Sequence, residues 1–256
     1  MTRHSYVEPR PGPYQAQHGE DRWVEEYFKG KPGFFVEVGA YDGIVLSNTY
    51  FLESIGWTGI LVEPDPAMAA RCRQNRPKCP LYECAAVGSD AMKEITFNVV
   101  DGGEVYSAAG ELTELQQKRL EGWGLQSRKM TVAAKTLDAM LTEVGPPRVD
   151  FVSIDVEGGE ADILRGFDLA RWRPRVVMVE VNSRVRSGGV REAFTRQGYV
   201  YLESIEINEV YVPLTELHAL ATAVDRARYA MHVSRKAAAR IGRTFRSLTG
   251  PRTKLV

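Results

Sequence analysis

Short apolar runs alternate with helical segments along most of this chain, and no other feature of the sequence constrains the fold as strongly. A strand with one face in water would alternate apolar and polar side chains, whereas these runs carry few polar residues. The pattern therefore predicts a doubly wound, mostly parallel α/β sheet with flanking helices. The runs lie at 34–38, 59–63, 81–87, 149–154 and 175–181, and the helical segments lie at 47–56, 66–75, 136–144, 159–171 and 188–197.

The last two predicted strands differ from the others. Residues 199–204 and 208–213 are separated by Ile205, Glu206 and Ile207, which is the spacing of a β-hairpin. An antiparallel pair at the edge of the sheet brings the expected total to about seven strands. The predicted class is a Rossmann-like α/β fold.

The chain divides by composition into a core and two terminal segments. Residues 1–17 are predicted to be an extended lead-in, 18–214 the α/β domain, and 215–256 a basic amphipathic helix and tail. Residues 94–134 form an insertion with a strand, a glycine-rich loop and a polar helix. Insertions of this kind often cover the ligand pocket, so we expect this one to act as a lid.

Charge is distributed unevenly although the formal net charge is +0. Nine Lys or Arg stand against one acid from Asp225 to Val256, so residues 1–224 carry about −8. An acidic body argues against nucleic acid as a partner. The basic helix predicted at 225–248 leaves two partners open, which are a second copy of the chain and an anionic membrane surface.

Location is predicted from what the sequence lacks. It shows no secretory signal and no apolar run of membrane-spanning length. The three cysteines show no CxxC spacing and are expected to be reduced thiols. We expect a cytoplasmic protein that could lie peripherally at the inner membrane face.

The first candidate ligand loop is FFVEVGAYDG at 34–43, where a buried strand leads into Gly39 and Gly43. Glycines at a strand-to-helix turn let a ligand approach the backbone closely. The third glycine of the dinucleotide fingerprint is missing. Glu63 ends the second strand, where an acid can accept both hydroxyls of a ribose. An acidic turn would repel a pyrophosphate but could pair Glu37 or Asp42 with the amine of S-adenosylmethionine (SAM).

Three more strand ends supply candidate residues. Small side chains after the third strand, at Ala85 and Ala86, leave room for an adenine. Acids follow the fourth and fifth strands, where open α/β sheets bind ligands. Asp155, Glu180 and Asn182 form an all-oxygen set of the kind that suits Mg²⁺, so they are the candidate ligands of a magnesium ion.

These motifs resemble the FkbM-type methyltransferases. The resemblance runs from about His18 to Asn182 and is carried by GFFVEVGAYDGIVLSNTYFLESIGWTGILVEPDP and VDFVSIDVEGGEADILRGFD. It implies a class I methyltransferase fold, SAM as cofactor, and O-methylation of a hydroxyl on a sugar, glycan or secondary metabolite. By resemblance, the first cofactor loop is Glu37, Gly39, Asp42 and Gly43, the ribose acid is Glu63, the mouth of the pocket is Ser47 and Asn48, and the acidic signature is Asp155 and Glu157.

Methyl transfer to a hydroxyl requires a group that removes a proton. We expect Asp155 and Glu180 to serve as base or metal ligands, with Glu157 and His18 as the other candidate catalytic residues. Two rival functions remain at this stage. One is a nicotinamide-dependent oxidoreductase, which calls for the missing glycine. The other is a non-catalytic nucleoside-binding module, against which the dense acids argue.

Overall fold

The computed structural model of the chain describes residues 9–101, 108–109, 118, 121–122, 126–156, 158–181 and 184–216. The described strands are β1 (Phe34–Val38), β2 (Thr58–Val62), β3 (Leu81–Tyr82), β4 (Ala85–Ala86), β5 (Glu94–Asp101), β6 (Ala108–Ala109), β7 (Gln126–Lys135), β8 (Phe151–Ile154), β9 (Val176–Glu180), β10 (Tyr199–Ile205) and β11 (Asn208–Pro213). The helices described over their length are α1 (Glu20–Phe28), α2 (Tyr50–Ser54), α3 (Pro66–Asn75), α4 (Leu137–Val144), α5 (Glu160–Ile163), α6 (Leu169–Trp172) and α7 (Arg184–Arg196), with a 3-10 turn at Leu164–Gly166.

Seven strands form the central sheet in the order β10-β11-β9-β8-β1-β2-β3. Strands β9, β8, β1, β2 and β3 are parallel, and β11 runs antiparallel to both β9 and β10. The mostly parallel sheet with an antiparallel edge hairpin is therefore confirmed. The strand order reverses between β1 and β8, and open α/β sheets bind ligands at such a point, beyond the carboxyl ends of the strands.

Both faces of the sheet are buried, which explains the apolar runs. Val36 and Val38 of β1 belong to a core cluster with Leu137, Met140 and Phe194, from the helices on one side. Alternate side chains of a strand point to opposite faces, so Phe35 lies on the other face, where it is fully buried. A hydrogen bond from Asn208 Nδ2 to Glu20 Oε1 ties α1 to the sheet, at 2.7 Å.

A second sheet, in the order β4-β7-β5-β6, was not predicted. Its longest pairing joins β5 to β7 in antiparallel register from Glu94–Ala133 to Asp101–Gln126. The predicted strand at 81–87 is split in two: β3 stays in the central sheet, whereas β4 pairs with the end of β7. The insertion is therefore anchored by backbone hydrogen bonds to the third strand region.

Two predicted helices are shorter than expected, for reasons of side-chain bonding and packing. The helix expected at 47–56 begins only at Tyr50, because residues 47–49 bind a buried carboxylate described below. The helix expected at 159–171 is interrupted after Gly166, which packs so tightly that a Cβ atom there would lie 2.4 Å from the carbonyl oxygen of Val87. Asp168 then caps α6 by accepting the N–H groups of Ala170 and Arg171.

The chain divides after Pro213 into the units Met1–Pro213 and Leu214–Val256, and the second is described only at 214–216. The predicted basic helix at 225–248, most of the loop and polar helix of the insertion, and residues 1–8 lie outside the described residues. Among the helices that are described, none combines the length and the apolar character needed to cross a membrane.

Candidate active site

The loop that follows β1 has a demanding backbone. Gly39 and Gly43 have φ angles of +85° and +84°, and Tyr41 and Leu46 also lie in the left-handed region, at +50° and +58°. Non-glycine residues in this region cost free energy and persist where surrounding contacts hold them, as at many ligand sites. Space also requires glycine at 39, since a Cβ atom there would lie 1.9 Å from the carbonyl oxygen of Asp155.

We expect Gly39→Ala to lower the free energy of unfolding by about 2–4 kcal/mol, because it adds a clash to an unfavourable φ angle. Gly198→Ala is the matched control: its φ angle is +79°, and a Cβ atom there would meet nothing within 4 Å. That variant should lose only about 1 kcal/mol. Urea unfolding measures both, and equal losses would mean that the contact with residue 155 does not constrain the loop.

Glu63 directly follows β2 and holds the same loop. Its Oε2 accepts the N–H of Tyr41 and its Oε1 accepts the N–H of Asp65, both at 2.8 Å. Each carboxylate oxygen can accept a second donor. Burial raises the pKa of Glu63 to about 8, against the lowering effect of the two N–H donors.

An open cleft of about 350 Å³ lies beyond the carboxyl ends of β1, β2, β4 and β8. That volume includes space open to solvent. It brings together Gly39, Ala85 and Ala86, three of the predicted cofactor residues. The lining side chains are almost all apolar. They are Val38, Gly39, Val62, Pro64, Cys84, Ala85, Ala86, Val156, Gly159 and Ile163.

Cys84 lines this cleft with an uncharged side chain. Burial raises the pKa of its thiol to about 11 and that of Cys72 and Cys79 to about 12. All three are free cysteines. At neutral pH they are protonated and therefore poor nucleophiles.

Glu37 lies in the middle of β1 and is buried beneath the loop. Its Oε1 accepts the N–H of Asn48 at 2.7 Å, its Oε2 accepts the hydroxyl of Thr49 at 2.6 Å, and Ser47 Oγ lies 2.9 Å from both oxygens. Asn48 Nδ2 in turn donates to Ser153 Oγ on β8 at 2.9 Å. Ser47 and Asn48 are therefore buried partners in this network, and neither is among the residues that line the cleft in the described part of the chain.

Arg76, which sequence reasoning missed, supplies the positive charge for this network. Its side chain is 1% exposed, and its Nη1 lies 3.8 Å from Glu37 Oε2. It also forms an ion pair with Glu53 and donates to the carbonyl oxygen of Gly43 at 3.0 Å. The signal in the sequence was the acid inside β1, because a buried carboxylate needs a partner. Only the fold identifies which of the many arginines fills that role.

Asp42 is fully buried and turned toward the backbone of its own loop. Its Oδ1 accepts the N–H groups of Ile44 and Val45, both at 2.9 Å. Its carbonyl oxygen accepts Asn75 Nδ2 at 2.8 Å. Like Glu37, it is not among the residues that line the cleft in the described part of the chain.

Glu180, the last residue of β9, is 6% exposed and its Oε2 has no hydrogen-bond partner in the described chain. It lies opposite Asn208 in the antiparallel pairing of β9 with β11, so the two side chains share a face of the sheet. Asn208 bonds to Glu20 at the start of α1. Both Asn208 and Glu20 are buried, and no motif in the sequence marks either of them.

Asp155 and His18 are exposed at the same edge of the sheet. Asp155 follows β8 and donates its N–H to Val38 O at 3.0 Å, beside Gly39. His18 donates its N–H to Glu20 Oε2 at 2.7 Å, and a backbone bridge joins the nearby Ala16 to Leu46. Asp155 directly follows Ile154, which pairs with Val179 beside Glu180. His18 is linked through Glu20 to Asn208, which lies opposite Glu180 in the sheet.

The predicted metal site is only partly described. Glu157 and Asn182 lie outside the described residues. Within the described ranges, no group of three or more His, Cys, Asp or Glu side chains could hold a metal ion. Asp155 and Glu180 alone provide two of the predicted ligands.

Comparison with known proteins places the chain in a family. The family model "Methyltransferase FkbM domain" matches residues 37–201. The 2-O-methyltransferase NoeI of Sinorhizobium fredii is 28% identical over 135 residues, which are 48% of this chain and 52% of NoeI. The chain thus spans about half the length of this curated relative.

The solved structures that this chain resembles include methyltransferases. The N-terminal domain of human METTL16, in complex with SAH, gives a TM-score of 0.43 at 13% identity over 81% of this chain and 71% of that chain. A putative RNA methyltransferase from Pyrococcus horikoshii gives 0.42 at 13% identity over 82% and 92%. The family match extends from the buried acid of β1 to β10, across the whole cleft, so this chain belongs to the FkbM methyltransferase family.

Proposed function

We propose that this protein is a SAM-dependent methyltransferase that methylates a hydroxyl group on a sugar, glycan or secondary metabolite. The observation that carries the proposal is the cleft itself. The cleft is lined by Gly39, where there is no space for a side chain, and by small residues. The carboxylate of Glu63 follows the adjacent strand, β2.

The residues around the cleft fit the parts of SAM. Glu63 Oε1 and Oε2 each accept one N–H group and retain capacity for a ribose hydroxyl. Ala85 and Ala86 leave space for the adenine. Asp155 is exposed beside Gly39 and offers a carboxylate for the cofactor's amine. Glu37 and Asp42, the other candidates for that amine, are buried, so we assign them to shaping the loop.

SAM, when bound, supplies a methyl group on a positively charged sulfur, and the acceptor oxygen forms its new bond as the carbon–sulfur bond breaks. The protein must orient the acceptor and take up its proton. Glu180 is the base we propose, since it lies two strands from β1 at the edge that carries the cleft, and one of its oxygens lacks a donor. His18 and Glu157 are the alternatives.

No step in this mechanism depends on a metal. The described residues offer two carboxylates for Mg²⁺, Asp155 and Glu180, and the third predicted ligand, Asn182, lies outside them. Magnesium therefore stays a proposal that chelation can test.

The class of acceptor is supported by the relative. NoeI is by its name a 2-O-methyltransferase. A sugar hydroxyl is a weak acid, which suits a site that provides a buried carboxylate as base. The cytoplasmic location, a second copy as partner and membrane contact through 225–248 also stay proposals.

Calorimetric titration of SAM tests the cofactor. Above about pH 8, where most of the Glu63 carboxyl is ionised, we expect micromolar binding to the wild type and roughly 100-fold weaker binding to Glu63→Gln. The amide cannot accept two hydroxyls and two N–H groups. Glu83→Gln is the control, because Glu83 pairs with Arg73 at the surface. Binding of NADH in place of SAM would support an oxidoreductase and contradict the proposal.

The pKa of Glu63 gives the binding a pH dependence. Below about pH 8 the Glu63 carboxyl of the folded protein is protonated. Each pH unit below this value should weaken ligand binding roughly tenfold. 5′-Methylthioadenosine is the ligand to titrate from pH 6 to 9, because it lacks the amino-acid half of SAM and its ionisable groups. The dependence should disappear in Glu63→Gln, and a flat profile in the wild type would argue against ribose binding by Glu63.

A further inference from the structure

We propose that Arg76 is a positioning residue that holds the loop of residues 39–49 in the shape needed by the amino-acid half of SAM. This inference rests on the proposed function. It concerns a side chain that does not line the cleft and so acts through the loop.

Arg76 follows α3 and reaches the loop from behind at several points. Its Nη1 donates to Gly43 O at 3.0 Å, and its Nη2 donates to Thr49 Oγ1 at 3.2 Å. The preceding residue, Asn75, donates to Asp42 O at 2.8 Å. The Arg76 side chain also requires glycine at position 43, because a Cβ atom there would lie 2.8 Å from Arg76 Cγ. One side chain thus contacts both ends of the segment 43–49.

The geometry of the guanidinium matters as well as its charge. A planar group with several donors can bond to two carbonyl and hydroxyl oxygens while it faces a carboxylate, whereas a lysine ammonium is a compact point charge. Here the group pairs with Glu53, lies 3.8 Å from Glu37 Oε2, and stacks over the ring of Phe35 at 5.5 Å. A lysine would keep the charge but could not make all of these contacts.

The two halves of the cleft are supported differently. Gly39 and the loop after it depend on the network behind them. Ala85 and Ala86 are held by backbone pairing with Ala134 and Lys135 of β7. A shift of the loop should therefore weaken contacts with the amino-acid half of the ligand and leave those with the adenine in place.

The experiment compares two ligands in the same variants. S-Adenosylhomocysteine contains the amino-acid half, and 5′-methylthioadenosine lacks it. In Arg76→Lys we expect S-adenosylhomocysteine to bind roughly ten- to a hundred-fold more weakly, because small displacements of positioning groups have effects of this size. The dissociation constant of methylthioadenosine should change less than about threefold. Arg73→Met is the control, since Arg73 lies in the last turn of α3, just before Arg76, but pairs with Glu83 at the surface.

Stability is a separate readout. If Arg76→Lys fails to fold, Glu37→Gln/Arg76→Met removes both buried charges and is used in its place. If Arg76 served only as a counter-ion that stabilises the fold, its substitution would change the melting temperature but would not affect one ligand more than the other. Equal weakening of both ligands, or of neither, would therefore overturn the inference. A wild type that binds neither would instead refute the proposed function, and this inference with it.

Discussion

Replacing Glu180 with glutamine is expected to lower kcat by roughly 10²–10⁴-fold and to leave the dissociation constant of SAM nearly unchanged, because general bases contribute about that much. The buried Oε2 of Glu180 lacks a hydrogen-bond partner in the described chain, so the wild-type carboxylate is costly to bury. The variant should therefore be at least as stable as the wild type. Gain of stability with loss of activity is the pattern expected of a functional group.

The assay needs an acceptor, which a mass-spectrometric screen of sugars and glycans supplies. Glu206→Gln is the control, since Glu206 lies exposed in the turn between β10 and β11. Unchanged kcat in Glu180→Gln would transfer the role of base to His18 or Glu157. Running the same assay in excess EDTA tests the magnesium proposal, because activity that survives chelation would exclude a catalytic Mg²⁺.

Removing Arg76 alone is expected to lower the free energy of unfolding by about 3–5 kcal/mol, because Arg76→Met leaves the charge of Glu37 buried without a cation. The double variant Glu37→Gln/Arg76→Met should recover most of this loss, since it buries no charge at that point. Glu53, the other partner of Arg76, is 18% exposed and can be hydrated instead. Burial raises the pKa of Glu37 even with Arg76 present, so desolvation outweighs the opposing effects of Arg76 and the nearby donors.

The measurement is a double-mutant cycle by urea unfolding. It compares the wild type with Glu37→Gln, Arg76→Met and the double variant. A strong coupling between the two substitutions is the expected result, as for residues in one network. The surface pair of Arg73, on α3, and Glu83, between β3 and β4, serves as the control and should couple by less than about 1 kcal/mol. Additive effects at Glu37 and Arg76 would contradict a shared buried network.

Much of the central sheet was predictable because burial on both faces leaves a local trace. Strands β1, β2, β8 and β9 are nearly continuous apolar runs, and each was placed within a residue or two. Strand β7 was missed, since more and less buried residues alternate from Lys129 to Ala134 and its first half is polar. Its strand character depends on pairing with β5, from which it is separated by more than twenty residues.

The candidate site was predictable where a residue's role depends on its position at a strand end. Gly39, Ala85 and Ala86 line one cleft, as their strand ends implied. The sequence did not indicate which acids face the cleft and which are turned inward. Glu37 and Asp42 are both acids near the same glycines, yet both are enclosed by donors from the chain.

By itself, then, the sequence determined the sheet, its edge hairpin and the strand ends that surround the cleft, because apolar periodicity and glycine placement are local properties. Only the tertiary structure decided the partners of the buried charges. Arg76 meets Glu37 across 39 residues of chain, and Asn208 meets Glu20 across 188. Such pairs form because a buried charge or amide must find a partner in space, and the chain can supply that partner from any distance along the sequence.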